Sequence, residues 1–161
     1  KTENYLGKCI HKDGLTEVLE KIRNADGLII GSPIYIGEAT ASFRALYERL
    51  IFQYVTYKTE VTNYNEHKIP VALIFTCGVA ESAFSQVGYD KIFDVYKTAV
   101  EKKFGDVSVL VSDYAWQVND YENWNWTTFD IKSKKAHREN VFPKDLEKAF
   151  EIGKNMVKMG D

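Results

Sequence analysis

The stretch from Ala25 to Arg49 does most to decide how this chain can fold. It opens on Leu28-Ile29-Ile30, a short apolar, largely β-branched run between Gly27 and Gly31. That is the pattern of a strand buried on both faces. Residues with special backbone behaviour follow: Gly31, Ser32, Pro33 and Gly37. Then Phe43, Leu46, Tyr47, Leu50, Ile51 and Tyr54 recur at the helical period, on one face of a helix that Thr40 or Ser42 can cap. Strand, tight loop and helix in this order form the unit of an open α/β sheet, where ligands sit outside the carboxyl ends of the strands.

The loop has the makings of a cradle for a flat ligand. Pro33 has a fixed φ and pushes Ser32 into an extended conformation. Gly37 lets backbone come close to another group, and Tyr35 can lay its ring on a planar heterocycle with the hydroxyl in water. The N–H groups of residues 34–37 then stay free for ring heteroatoms. The same residues also suit an ordinary βα loop punctuated by Pro and Gly, and the residues alone leave both readings open.

The run Gly31-Ser32-Pro33-Ile34-Tyr35-x-Gly37, followed by Thr40-Ala41 and Arg44-x-x-x-Glu48-Arg49, resembles the flavodoxin-like NADPH-dependent FMN reductases and their iron–sulfur flavoprotein relatives. In that family the loop cups the isoalloxazine ring of FMN. The resemblance extends from Gly7 to about Met159. It implies an α/β, flavodoxin-like three-layer sandwich with a parallel sheet, in a single domain over residues 1–161. It also implies ring contacts from Ser32, Pro33, Ile34, Tyr35 and Gly37, joined by Thr76, Cys77 and Gly78 at the end of the neighbouring strand.

Three strands are legible, at about Gly27–Gly31, Val71–Thr76 and Val107–Ser112. They match the third, fourth and fifth of a flavodoxin-like sheet ordered 2-1-3-4-5. The chain begins with Lys1, and residues 1–12 are polar and turn-like. An all-apolar parallel strand left as a bare edge invites aggregation. The expectation is therefore that the first strand, with the loop for the FMN phosphate, belongs to upstream sequence.

The 161 residues carry a net charge of −2, which argues against nucleic acid as the main partner. No apolar run approaches the roughly 20 residues of a membrane span. Two cysteines, Cys9 and Cys77, are too few for a disulfide scaffold, which points to the cytoplasm. In iron–sulfur flavoproteins four clustered cysteines lie near the position of Cys9, but one cysteine beside His11 holds neither cluster nor zinc, so no metal site is expected. Cys77 reads as a small buried side chain at a strand end rather than a nucleophile.

Along the chain, Asp13 caps a helix with the stripe Leu15, Val18, Leu19 and Ile22, which Asn24 can end. Residues 55–68 form a long polar connection suited to a functional role or to packing on a second subunit. Residues 81–88, with Phe84, suit a lid over the ring or a plain connection. A helix over Tyr89–Phe104, with Ile92, Phe93, Tyr96, Val100 and Phe104 inward, stops at Gly105. After the third strand, Tyr114, Trp116 and Val118 alternate, as do Trp124, Trp126 and Thr128, which suggests a hairpin that covers an interface or the flavin, or fills the core. The basic run from Lys132 to Arg138 reads as solvated surface. A last helix begins at Pro143, with Leu146, Phe150, Gly153 and Val157 inward.

The expected function is FMN-dependent electron transfer, as an NAD(P)H-dependent reductase fed by NAD(P)H or a reduced carrier such as ferredoxin. Because a flavin carries its own chemistry, no catalytic residue is nominated. A non-enzymatic FMN electron carrier partnered by ferredoxin is the alternative. A response-regulator module is disfavoured, since Ser112 and Asp113 stand where such modules need a lysine. Family members are often dimers or tetramers with the flavin near the subunit boundary, so a homodimer or homotetramer is expected.

Overall fold

The structure is a computed structural model that describes residues 5–159. Four strands form one sheet in the order β2-β1-β3-β4: β1 (Leu28–Tyr35), β2 (Glu38–Ala39), β3 (Val71–Thr76) and β4 (Val107–Ser112). The three long strands are parallel, with Leu28 opposite Val71 and Val71 opposite Val107. Their crossovers are helices, α2 (Ala41–Phe52) between β1 and β3 and α4 (Tyr89–Phe104) between β3 and β4. Helix α1 (Gly14–Arg23) precedes β1, the single turn α3 (Phe84–Val87) precedes α4, and α5 (Ile131–Asn140) and α6 (Phe142–Met159) end the chain.

Local chemistry sets the element ends. The Asp13 side chain accepts from the Leu15 N–H at 3.0 Å and forms a capping box with Thr16. Thr40, not Ser42, caps α2 by accepting from the Phe43 N–H at 3.3 Å. Gly105 stops α4 at φ 103°, a conformation that excludes most other residues. The connection over residues 55–68 seals that end further, because Asn63 and Asn65 both donate to the Lys103 carbonyl, at 2.9 and 3.1 Å.

Between the sheet and helices α2 and α4 lies an aromatic core. Phe75 is fully buried, with Phe43 edge-on at 5.5 Å, Phe93 stacked at 5.0 Å and Tyr96 at 5.7 Å. Phe84 is buried among Tyr89 and Phe93, which anchors residues 81–88 to the core at that ring. Helix α6 packs on β4, and the Met156 methyl reaches Gly27.

Four expectations are corrected. First, β1 does not stop at Gly31 but runs to Tyr35, with Ser32 opposite Phe75 and Pro33 opposite Thr76. Second, the segment between β4 and α5 contains no strand; its rings cluster around buried Tyr121, which Trp116 meets at 4.5 Å and Trp126 at 5.7 Å. Trp124 stays half exposed.

Third, the basic run is helical, and Lys134 within it is completely buried. Fourth, α6 turns Leu146, Phe150 and Val157 outward, at 56 %, 70 % and 70 % exposure. This helix carries two apolar stripes, and periodicity cannot choose between them; the one through Ala149, Ile152 and Met156 turns inward as α6 packs on β4. With Ile29, also exposed, these side chains leave an uncovered apolar face, and among the described residues no strand pairs with the outer edge of β1 before Ile34.

Candidate functional site

Two rims meet at the carboxyl ends of β1 and β3, and strand register brings them together. Because Pro33 lies opposite Thr76, the chain leaving β1 and the chain leaving β3 emerge side by side. The first rim is a two-residue hairpin: Ile34 pairs with Ala39 and Tyr35 with Glu38, leaving Ile36 and Gly37 as the turn. Both turn residues have positive φ, 52° and 80°, as the right-handed twist of a two-residue hairpin demands. Gly37 adopts this freely, whereas β-branched Ile36 is strained there, with its side chain wholly in solvent. Tyr35 and Glu38 close the turn as a pair, so the expectation of four unpaired N–H groups is corrected at Tyr35, while the turn residues Ile36 and Gly37 lie outside the ladder.

The eight residues singled out from the sequence divide by direction. Ser32 is buried, and its hydroxyl donates to the Pro33 carbonyl at 2.8 Å and accepts from the Thr40 N–H at 3.0 Å, tying β1 to the start of α2. Ile34 and Cys77 are buried in the core. Burial pushes the Cys77 thiol up from its ordinary value, which keeps it protonated and a poor nucleophile. Pro33 is half-buried, Tyr35 is 67 % exposed, and Thr76 is exposed. A side chain at Gly37 would meet nothing within 4 Å, whereas one at Gly78 would come within 3.3 Å of the Gln117 amide nitrogen.

Several residues that hold these rims escaped the sequence reading. Buried Tyr96 donates a short hydrogen bond to Glu38 Oε1, one residue beyond the turn, and receives one from Arg44 at 3.3 Å. Glu38 Oε1 also accepts from the Ala39 N–H at 2.8 Å. Burial, with the Glu38 hydrogen bond adding to it, pushes the Tyr96 hydroxyl up to about 12. The hairpin is therefore pinned from α4.

The second rim is backed by the segment leaving β4. Ala115 N–H donates to the Cys77 carbonyl at 2.9 Å and Tyr114 N–H to the Val79 carbonyl at 3.1 Å. Gln117, whose N–H donates to the Tyr121 hydroxyl at 3.0 Å, then lies over Gly78. No spacing rule signals these contacts; only the aromatic density after β4 hinted that the segment would pack.

A concavity of 1070 Å³ lies elsewhere, between residues 5–11 and the outer side of α2, and shares no lining residue with the rims. Cys9 and His11 border it, but among the described residues no three His, Cys, Asp or Glu side chains converge as metal ligands would. Nor is any described helix long and apolar enough to cross a membrane.

Parts of the chain are similar to known proteins. An iron–sulfur flavoprotein of Methanocaldococcus jannaschii is 49 % identical over 41 residues, 26 % of this chain and 21 % of that one. One from Methanosarcina thermophila is 40 % identical over 43 residues, 27 % of this chain and 22 % of that one. The chain thus spans about a fifth of the length of the curated relatives it matches.

Among solved structures, an NAD(P)H:quinone oxidoreductase from Methanothermobacter marburgensis superposes with a TM-score of 0.58 at 13 % identity, covering 73 % of this chain and 61 % of that one, a likeness of flavodoxin-like fold. The model of the family described as NADPH-dependent FMN reductase matches residues 1–99, more than half of the chain. By that match the chain belongs to the NADPH-dependent FMN reductase family, flavoproteins of flavodoxin-like fold whose cofactor is FMN.

Proposed function

We propose that this chain grips the isoalloxazine ring of FMN between its two rims and passes electrons taken from NAD(P)H or a reduced protein carrier. The register of Pro33 against Thr76 carries the reading, because it sets the strained turn beside the Thr76–Gly78 exit at the sheet's carboxyl edge. The donor set suits a flat ring with a polar edge. Tyr35 offers an exposed ring face, Thr76 a hydroxyl, Gln117 an amide and Ile36–Gly37 unpaired backbone, while Gly37 and Gly78 place no side chain in the way. Ser32, Ile34 and Cys77 contribute through backbone and packing, since their side chains turn inward.

FMN, when bound, supplies the redox chemistry, accepting a hydride or single electrons. The chain's own work is to bind, orient and shield the ring. Because the flavin carries the chemistry, the rims need no general acid or base, and the protonated Cys77 thiol takes no part. The free cysteines Cys9 and Cys77 suit a cytoplasmic setting, and exposed Ile36 and Trp124 favour a homodimer or homotetramer in which a second copy covers the ring.

Anaerobic reduction of the FMN-loaded protein tests the function. Bleaching of the flavin band by NADPH within the mixing time supports a reductase, and bleaching only by reduced ferredoxin supports the non-enzymatic carrier. A protein that takes up no FMN in a fluorescence titration defeats both. Tyr35→Ala, which removes an exposed stacking face, is expected to raise the FMN dissociation constant by about three- to tenfold while leaving stability within about 0.5 kcal/mol. An unchanged titration would move the ring off Tyr35.

A further inference from the structure

Helix α5 carries two side chains that the proposed site does not use, Lys134 and His137, three residues apart on one helix face. Both reach the chain that leaves β4. The Lys134 ammonium donates to the Ala115 carbonyl at 2.8 Å and lies 4.3 Å from the Tyr114 ring and 4.8 Å from the Phe129 ring. Ala115 in turn donates its N–H to the Cys77 carbonyl at 2.9 Å. His137 Nε2 lies 2.9 Å from Asp113 Oδ1, and Asp113 Oδ2 accepts from the Glu81 N–H at 2.6 Å. One helix face thus reaches both ends of the residue 77–81 segment through a single intermediary at each end.

A lysine with no exposed surface is a costly choice if stability is all it serves. Burial lowers its pKa, opposed by the nearby Cys77 and Asp113. An apolar side chain of the same length would pack as well, and such replacements of buried charge are often neutral or stabilising. What Met cannot supply is a donor for the Ala115 carbonyl.

We infer that Lys134 is a positioning residue for the second rim: through Ala115 it fixes the Cys77 carbonyl and, two residues further on, seats Gln117 over Gly78. The inference rests on the FMN reading for its consequence but not for its geometry. The rim is held whether or not flavin is bound, and the site's shape depends on a side chain one layer beneath it.

Lys134→Met and Lys134→Gln, in the intact chain, separate positioning from plain stabilisation. Hydrogen exchange on the flavin-free protein reads the strut directly. Lys134→Met is expected to speed exchange of the Ala115 and Tyr114 amides at least tenfold, with little change in α2 and α4 amides. Lys134→Gln, which keeps an N–H donor, is expected to restore most of the protection. FMN titration of the same proteins then reads the consequence, a dissociation constant raised roughly tenfold in Lys134→Met and largely recovered in Lys134→Gln. Uniformly faster exchange across all elements in both variants would make Lys134 a general stabiliser and overturn the inference, as would unchanged rim exchange in Lys134→Met. Local loosening in Lys134→Met with an unaltered FMN constant would overturn the link to the ring. A wild-type protein that binds no FMN would defeat the functional reading and leave the exchange result to decide the strut.

Discussion

Phe75→Ala is expected to lower the unfolding free energy by about 3–5 kcal/mol, the range for emptying a large aromatic site in a closed core. The upper part of that range applies here. Phe75 is completely buried, and its three ring neighbours come from two different helices, Phe43 on α2 and Phe93 and Tyr96 on α4. No single helix can shift to fill the void without pulling on the other. The same substitution removes packing beneath Thr76, the next residue and the start of the second rim, and slackens Tyr96, which pins the first. Loss of FMN binding should therefore accompany loss of stability. Urea unfolding followed by circular dichroism and by tyrosine fluorescence checks the size, and Tyr57→Ala, at a residue 89 % exposed, serves as a control expected within about 0.5 kcal/mol of wild type. A Phe75→Ala loss below about 1 kcal/mol would mean that the core closes around the void and that Phe75 does not hold α2 and α4 to the sheet.

How far the sequence could be read depended on whether the deciding interaction was local. The parallel strands, the inward face of α4 and the Asp13 cap were legible, and the cap of α2 was narrowed to Thr40 or Ser42, because period and capping chemistry are local properties. The length of β1 was not. Pro33 and Ser32 look like turn residues, yet the hairpin to β2 and the register with β3 carry the strand to Tyr35, so tertiary pairing overrode propensity. Lys134 was misread for a related reason. A lysine in a basic run is nearly always solvated, and only the fold's placement of the Ala115 carbonyl and the Tyr114 and Phe129 rings makes burial tolerable. For α6, two apolar stripes competed, and the sheet's shape chose between them.

The candidate site shows the same division. The motif around Ser32–Gly37 located the first rim, but not which atoms it presents; that follows from the hairpin, which turns Tyr35 outward and Ile34 inward. Gln117, Glu38 and Tyr96 came from outside the motif, because nothing in their spacing reveals contacts across the fold.

Tyr96 supplies the second large effect, in alkali. Its hydroxyl lies well above the ordinary tyrosine value of 10.0, at about 12, first because it is buried and then because it donates a hydrogen bond to Glu38. The folded state thus favours the neutral form more strongly than the unfolded state does. For a group raised in this way, the stabilisation is complete below pH 10 and is lost as the pH climbs through about 12, roughly 3 kcal/mol in all. Tyr47, Tyr54 and Tyr89 are raised by burial as well, so the whole protein should soften in the same direction. Tyr96→Phe isolates the share of one residue. At pH 8 the variant should be about 1–2 kcal/mol less stable than wild type, having lost a hydrogen bond to a carboxylate that is itself exposed. That gap should shrink above pH 10 and close by about pH 11, because the wild type's unfolded state gains there from ionising this phenol while the folded one, held up to about 12, stays neutral. Urea midpoints measured from pH 8 to 11 on both proteins would show the convergence. A constant gap would mean that the Tyr96 hydroxyl does not titrate against Glu38, and the pin that fixes the hairpin to α4 would have to be sought in packing alone.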